Sequence, residues 1–294
     1  MELGIFAMPL HHPERDWQTV LQEDREMIIM ADKLGYSEVW IGEHQTSISE
    51  PITDPTVSRA TPRGETKQIK MGPGVYCLPH QHPSRIAGQA ALFDHLSKGR
   101  FQMGIGNGSL SSDVELFEVG GGTDRGAMVR ESIEHILAIW DGEPPYTRKG
   151  DFWNVKIEDT GRVDYGVGCF IKPYQQPHPP IAISIMSPNS SSARMAGEQG
   201  WIPISGAAFL HPRYTASHWQ AYQEGSATAG RTAAASAAIN ASLAFATATG
   251  VLQKKLDQRA GITVAEDAAV SVAITTAAPS VDTDAPSASP SASP

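Results

Sequence analysis

Cysteine and long apolar stretches are both scarce in this sequence of 294 residues. Its two cysteines, Cys77 and Cys169, are too few for a disulfide framework, so they favour a reducing, cytoplasmic setting and a role as small buried side chains. No apolar stretch approaches the roughly 18 residues that a membrane-spanning helix needs. The N-terminus also lacks the basic and apolar regions of a signal peptide. We therefore expect no membrane partner.

Positive charge is in deficit as well. Lys and Arg number 23 against 32 Asp and Glu, which gives a formal net charge of -9. Such a balance argues against nucleic acid as a partner. Glycine is missing from the turn after the first apolar run, Met8–His12, so the phosphate-binding turn of dinucleotide-binding sheets is not expected there.

Aromatic residues nearly vanish towards the C-terminus. All six tryptophans precede residue 222, and Phe245 is the one aromatic residue after it. Ala, Ser and Thr dominate from residue 231, which is a composition that cannot bury much apolar surface. We expect residues 1–230 to form the folded unit and residues 231–294 to form a divergent tail, largely disordered after residue 275.

The first 224 residues do contain a regular pattern, in which short apolar runs alternate with helical periodicity. Strands that alternate with helices in this way predict a parallel α/β sheet with right-handed crossovers. The six strands are expected at Leu3–Met8, Glu38–Ile41, Ile69–Val75, Arg100–Ile105, Ile181–Ile185 and Trp201–Ser205. Helices are expected at Asp16–Leu34, Ser84–Lys98, Asp124–Trp140, Asn189–Gln199 and Pro212–Glu224.

Six such units favour an α/β barrel of the (β/α)8 type, whose last two βα units are missing or replaced. One segment departs from the pattern. Residues 57–66, VSRATPRGET, have no apolar face and are predicted to be irregular. A hairpin is predicted around residues 149–151, where the chain is rich in Gly, Pro and Tyr.

Polar residues follow several of the predicted strands, which is where parallel α/β proteins place their chemistry. His44 follows the second strand directly after Glu43. With an ordinary pKa near 6.5, a histidine can donate or accept a proton at neutral pH. His44 is therefore our first candidate for the catalytic residue, and the alternative is a histidine that only holds its loop through Glu43.

Other candidates rest on position. His80 and His82 follow the third strand, and their H-x-H spacing could suit zinc, but no third ligand stands nearby; we expect no metal and a pocket-lining or structural role. His11 follows the first strand and is a substrate-pocket candidate. Ser187, Ser190 and Ser191 lie where the fifth strand gives way to a helix, so they either bind a phosphate or simply cap that helix.

Four segments together resemble one known family, the bacterial luciferase-like flavin-dependent monooxygenases, and within it the limonene- and alkanal-monooxygenase-like branch. They are GYSEVWIGEH at 35–44, MGPGVYCLPHQHP at 71–83, LSKGRFQMGIGNG at 96–108 and PYQQPHPPIAISIMSPNSSSARMAGEQG at 173–200.

The resemblance implies a TIM barrel that binds reduced FMN, or a deazaflavin in some members. It also implies a small organic substrate, oxygenation with dioxygen, a separate flavin reductase and a homodimer. On the matching positions, His44 would lie beside the reactive edge of the flavin, and Gly74-Val75 would form a cis peptide under its ring. Asn107 would contact the flavin or its phosphate.

Two departures from the family pattern leave two hypotheses open. Residues 57–65 stand where the family has an apolar helix, and residues 231–294 stand where it continues through two more strands. Both segments look like sequence translated from a shifted reading frame. The chain is therefore either an active FMN-dependent monooxygenase or a truncated or frameshifted remnant that at most binds flavin. The coding DNA around both segments, read in the other frames, distinguishes the two hypotheses.

Limited proteolysis tests the prediction for the tail. Ordering a residue costs about 1–2 kcal/mol of backbone entropy, and the tail has few large apolar side chains with which to offset it. We expect trypsin to cut first after Lys254, Lys255 or Arg259, with the region before Arg213 surviving longer. A tail as resistant as the barrel would instead be completing the sheet, and the remnant hypothesis would be wrong.

Overall fold

In the computed structural model, residues 3–187, 190–206, 212–231 and 245–246 of the 294 are described. The strands, in chain order, are β1 (Gly4–Ala7), β2 (Glu38–Ile41), β3 (Lys70–Pro73), β4 (Tyr76–Cys77), β5 (Met103–Gly106), β6 (Tyr146–Lys149), β7 (Asn154–Ile157), β8 (Ile181–Ile185), β9 (Ile202–Ser205) and β10 (Phe245–Ala246). The helices are α1 (Trp17–Lys33), α2 (Pro55–Ala60), α3 (Pro83–Ser97), α4 (Ser111–Leu116), α5 (Arg125–Asp141), α6 (Ser191–Gln199) and α7 (Pro212–Thr228).

The strands form a curved parallel wall. One sheet runs in the order β10-β1-β2-β3 and a second in the order β4-β5-β8-β9, with parallel pairing throughout. A parallel bridge between Met71 of β3 and Phe101, which lies just before β5, joins the two sheets. The prediction of six parallel strands separated by helices is confirmed, and the predicted hairpin is the antiparallel pair β6–β7.

Trp40 fills the interior of this wall and sets its packing. Its indole is fully buried, with Phe6 packed against the same interior cluster. Glycines on the neighbouring strands leave room for the ring: a Cβ atom on Gly72 would lie 2.4 Å from Trp40 Cζ3, and one on Gly104 would lie 3.1 Å from the same atom. The adjacent positions Val39 and Ile41 belong instead to the larger cluster that also contains residues of α1 and α3.

The prediction that residues 57–66 are irregular is wrong for their first part, because α2 extends through Ala60. Asp54 caps this helix by accepting hydrogen bonds from the N–H groups of Thr56 at 2.7 Å and Val57 at 3.2 Å, and Pro55 occupies the first turn. Capping and a favourable first residue are sufficient to form a short helix without an apolar stripe.

On α2 an apolar side chain is exposed and a charged side chain is buried. Val57 is 65% exposed, whereas Arg59 is fully buried. The Arg59 guanidinium lies 5.2 Å from the Phe93 ring centre and 5.9 Å from that of Phe101, and its three nitrogens have no hydrogen-bond partner among the described residues. Burial lowers the pKa of Arg59.

Most of the predicted tail lies outside the described residues, so the disorder expected after residue 275 and the boundary at residue 230 stay predictions. One short part is described. Phe245 and Ala246 pair in parallel with Gly4 and Ile5, so a tail segment adds a strand beside β1, where no strand was predicted. No helix in the described part of the chain is long and apolar enough to cross a bilayer.

Arg59→Met tests whether the buried guanidinium weakens the fold. Burying polar groups without partners costs about 1–3 kcal/mol each, so an apolar side chain of similar length should raise the free energy of unfolding by about 1–3 kcal/mol. Urea denaturation measures the change. The exposed Arg85→Met is the matched control and should change stability by less than about 0.5 kcal/mol. A less stable Arg59→Met would show that the guanidinium is well accommodated.

Candidate active site

The carboxyl ends of the parallel strands gather the predicted site residues at one edge of the sheet. His44 lies just beyond β2, His80 just beyond β4 and Asn107 just beyond β5. The His80 ring approaches the neighbouring loop so closely that a Cβ atom on Gly108 would lie 2.8 Å from His80 Nε2. The sequence therefore placed three of its candidates correctly at a common edge.

His44 is held between two carboxylates. Its Nδ1 lies 3.3 Å from Asp113 Oδ2, and its Nε2 lies 3.0 Å from Glu50 Oε2. The Glu50 carboxylate, and more weakly that of Asp113, raise the pKa of His44, although its partial burial acts in the opposite direction. The ring is therefore biased towards the imidazolium form at neutral pH, with both N–H groups directed at anions.

Asp113 is the anchor of this arrangement and was missed by sequence reasoning. Its side chain is buried on α4 and accepts hydrogen bonds from Thr46 N at 2.9 Å, Thr46 Oγ1 at 2.5 Å and Gln45 N at 3.1 Å, in addition to its contact with His44. Burial alone would raise the pKa of Asp113, but these donors, led by the Thr46 hydroxyl, hold it below its ordinary value. It is a stable anion.

Glu43 faces a different environment from its neighbour. It is 7% exposed, and its Oε1 accepts a hydrogen bond from Cys77 N at 2.9 Å, while Oε2 has no partner among the described residues. Burial raises the pKa of Glu43 to about 7. The structure therefore does not support Glu43 as the group that holds the His44 loop, because the carboxylates beside His44 are Asp113 and Glu50.

The peptide bond Gly74–Val75 is cis, as the family resemblance implied. It lies between β3 and β4, at the same edge as His44. A Cβ atom on Gly74 would lie 2.8 Å from Phe6 Cε2 and 3.1 Å from Trp40 Cβ, so a larger residue at this position would have to displace the Phe6 ring. The interior packing around Trp40 and Phe6 thus extends to Gly74, at the edge of the sheet where His44 lies.

The two histidines of the H-x-H motif have separate surroundings. The His80 ring stacks on Phe117 with ring centres 4.6 Å apart, and burial lowers its pKa, which favours the neutral form. His82 caps α3, where its Nδ1 accepts from Ser84 N at 3.3 Å, and its Nε2 lies 3.2 Å from Asn154 O. Within the described ranges, no three His, Cys, Asp or Glu side chains are grouped so that they could hold a metal ion.

His11 is buried beside α1. Its Nε2 lies 3.0 Å from Asp24 Oδ1, and its backbone N–H donates to Ser49 O at 2.7 Å. The first contact holds the chain after β1 against α1, and the second holds it against the loop that contains Glu50. Substrate binding by His11, His80 and His82 stays a prediction.

The candidate phosphate-binding residues lie beyond β5 and β8. Asn107 and Ser187 are exposed, and Ser190 caps α6 by accepting from Ser192 N at 3.2 Å. The Ser187 carbonyl accepts from His218 Nε2 at 2.8 Å, and His218 Nδ1 contacts Ser205 Oγ at 2.9 Å. The donor set of Asn107, Ser187, Ser190 and Ser191 is neutral and hydrogen-bonding, which fits a phosphate at a helix N-terminus.

Comparisons with known proteins identify the family of the chain. A family model described as luciferase-like monooxygenase matches residues 1–277. The chain is 31% identical over 237 residues to 4-hydroxyprotoasukamycin monooxygenase of Streptomyces nodosus subsp. asukaensis, a match that covers 79% of this chain and 61% of that protein. It is 28% identical over 234 residues to limonene 1,2-monooxygenase of Rhodococcus erythropolis, covering 79% and 57%.

Solved structures give the same result for the fold. The oxygenating constituent of 3,6-diketocamphane monooxygenase from Pseudomonas putida, in complex with FMN, superposes with a TM-score of 0.70 at 29% identity, covering 79% of this chain and 64% of that one. Long-chain alkane monooxygenase, at 16% identity and a TM-score of 0.61, shows the fold alone. The expected barrel type is confirmed. The chain spans about three fifths of the length of these relatives, and its described barrel is partial.

Glu43→Gln tests the environment of the buried carboxyl. Because the pKa of Glu43 rises from 4.5 to about 7 on folding, the folded state binds the proton more tightly, and stability falls as the pH rises through that window. Glutamine removes this loss. We expect the free energy of unfolding of Glu43→Gln, relative to the parent, to rise by about 1–3 kcal/mol between about pH 5 and about pH 8.

Denaturant titrations at the two pH values measure this difference. Glu115→Gln carries the same chemical change at an exposed position of α4 and should leave the pH dependence unchanged. If Glu43→Gln followed the parent at both pH values, the Glu43 carboxyl would have an ordinary pKa in the folded protein.

Proposed function

Because the chain belongs to the luciferase-like monooxygenase family, we propose that it is a flavin-dependent monooxygenase that uses reduced FMN and dioxygen to oxygenate a small organic substrate. The observation that carries the proposal is the placement of His44 between Asp113 and Glu50, at the edge of the sheet that also holds the cis peptide Gly74–Val75.

When bound, reduced FMN supplies the two electrons with which one atom of dioxygen is transferred to the substrate and the other leaves as water. The residues of this chain contribute binding and proton transfer. Gly74 and Val75 support the ring system, and Asn107 with Ser187 donates hydrogen bonds to the phosphate side. Ser190 and Ser191 complete that phosphate site at the start of α6. His44 exchanges a proton at its Nε2 atom.

FMN is favoured over a deazaflavin by the relatives. The structure with 29% identity is described as a complex with FMN, and the two relatives described above, at 31% and 28% identity, are named as monooxygenases. One relative, at 33% identity over 196 residues, is the oxygenase component of the flavin-dependent trigonelline monooxygenase of Acinetobacter baylyi. By analogy, we propose that a separate flavin reductase supplies this chain and that the chain forms a homodimer in the cytoplasm.

A remnant of such an enzyme is the second candidate, and one observation favours it. Helix α2 buries Arg59 among aromatic rings without hydrogen-bond partners in the described part of the chain. In that case the protein binds flavin without turnover.

His44→Ala tests the proposed role of His44. The residue lies away from the phosphate-binding loop after β8, so we expect the variant to bind reduced FMN about as well as the parent. Product formation should fall by about 10²–10⁴-fold, which is the usual contribution of general acid–base catalysis. Anaerobic titration of reduced FMN measures binding, and oxygen consumption coupled to product formation, with an added flavin reductase, measures turnover.

His12→Ala is the matched control, since the His12 side chain is 67% exposed and contacts only Glu14 among charged side chains of the described residues. It should retain both binding and turnover. Unchanged turnover in His44→Ala would show that His44 only holds its loop. A parent that binds reduced FMN but forms no product with any substrate class tried would favour the remnant.

A further inference from the structure

The two carboxylates beside His44 differ in how fully their oxygens are engaged. The Asp113 side chain is 3% exposed, and three donors from Gln45 and Thr46 occupy its oxygens in addition to His44. The Glu50 side chain is 19% exposed, and His44 is its one side-chain partner within the described ranges. A carboxylate with three further donors holds its charge and resists protonation, whereas a carboxylate with one partner and access to water can accept a proton and release it.

The loop that carries Glu50 is fixed at both ends. The backbone N–H of His11 donates to Ser49 O at 2.7 Å, and the N–H of His44 donates to Ile52 O at 3.1 Å. Within the loop, Glu50 N donates to Ser47 O at 3.2 Å. Since Ile52 is itself buried, these bonds fix the loop and hold Glu50 beside the imidazole ring of His44.

We propose that Glu50 is a positioning residue that carries the Nε2 proton of His44 to and from solvent, while Asp113 only fixes the ring. The proton leaves Nε2 for Glu50 Oε2, and the resulting carboxyl group then loses it to water. The imidazole that remains keeps its Nδ1 proton, which is directed at Asp113. Proton transfer in the opposite direction, from water through Glu50 to Nε2, returns the ring to the imidazolium form. The inference deepens the proposed function, on which its catalytic meaning rests.

Other charged groups face this unit from neighbouring elements, and none replaces Glu50. The half-buried His80 lies beyond β4; burial lowers its pKa, and the Asp113 and His44 charges act on that pKa in opposite directions. Arg125, at the start of α5, donates to Gly108 O at 2.7 Å and acts on His80. Glu43 is turned towards Cys77. Glu50 is thus the carboxylate at Nε2 itself.

Glu50→Gln in the full chain tests the proposal, with Glu115→Gln on α4 as the matched control. The His44 ring signals are followed by nitrogen NMR in protein labelled at histidine and are identified by their loss in His44→Ala. Loss of a carboxylate at this distance should lower the pKa of His44 in Glu50→Gln, and Glu115→Gln should not change it. An equal pKa of His44 in the two variants would overturn the inference.

Exchange of the Nε2 proton with water separates a proton carrier from a static partner. Removal of a side chain that carries the proton slows exchange. Removal of a side chain that only shields the ring from water makes exchange faster. We expect the exchange rate to fall several-fold in Glu50→Gln and in Glu50→Ala, and added formate to restore it in Glu50→Ala. Faster exchange in both variants, or no effect of formate, would overturn the proposed relay.

Turnover distinguishes failure of the inference from failure of the proposed function. With reduced FMN supplied, the pH at which the rate of the parent is half-maximal should shift in Glu50→Gln and stay unchanged in Glu115→Gln. A parent that turns over, with a Glu50→Gln profile equal to that of the control, would refute the role of Glu50 alone. A parent without turnover would refute the proposed function, and the exchange measurements would still decide whether Glu50 carries the proton.

Discussion

The packing of Trp40 inside the parallel sheet is the constraint on which the candidate site depends. Its indole occupies space that the neighbouring strands leave free only because Gly72 and Gly104 have no side chain. A slip of β2 by one residue would turn Val39 into that space and move every following side chain to the opposite face of the strand. The register set there determines which side Glu43 and His44 face, although both lie beyond the strand.

Just beyond β2, two neighbouring titratable residues lie in separate environments. Glu43 is buried behind the sheet edge, close enough to Arg59 for the two charges to affect each other's pKa, whereas His44 meets Asp113 and Glu50. Both pKa values are raised, for opposite physical reasons. Burial favours the neutral acid at Glu43, and the neighbouring anions favour the cation at His44. Both shifts increase the proton content of the site near neutral pH.

The sequence predicted what depends on local pattern and missed what depends on distant contacts. Apolar runs and helical periodicity are local, so the six strands and their common edge were predictable, and so was the position of His44. Helix α4 is six residues long and has no apolar stripe, and its Asp113 reaches His44 across 69 positions. Glu50 is close in sequence, but only the fold of its loop brings the carboxylate onto the ring. No periodicity encodes either contact.

Helix α2 is linked to the candidate site through the charges of Arg59 and Glu43. Arg59 affects the pKa of Glu43, which in turn holds the backbone after the cis peptide through Cys77 N. The ion pairs of His44 with Asp113 and Glu50 involve no side chain of α2, although the loop that carries Glu50 leads directly into the Asp54 cap of that helix. Substitutions in α2 are therefore expected to reach the site through Arg59 and the pKa of Glu43, and not through the ion pairs of His44.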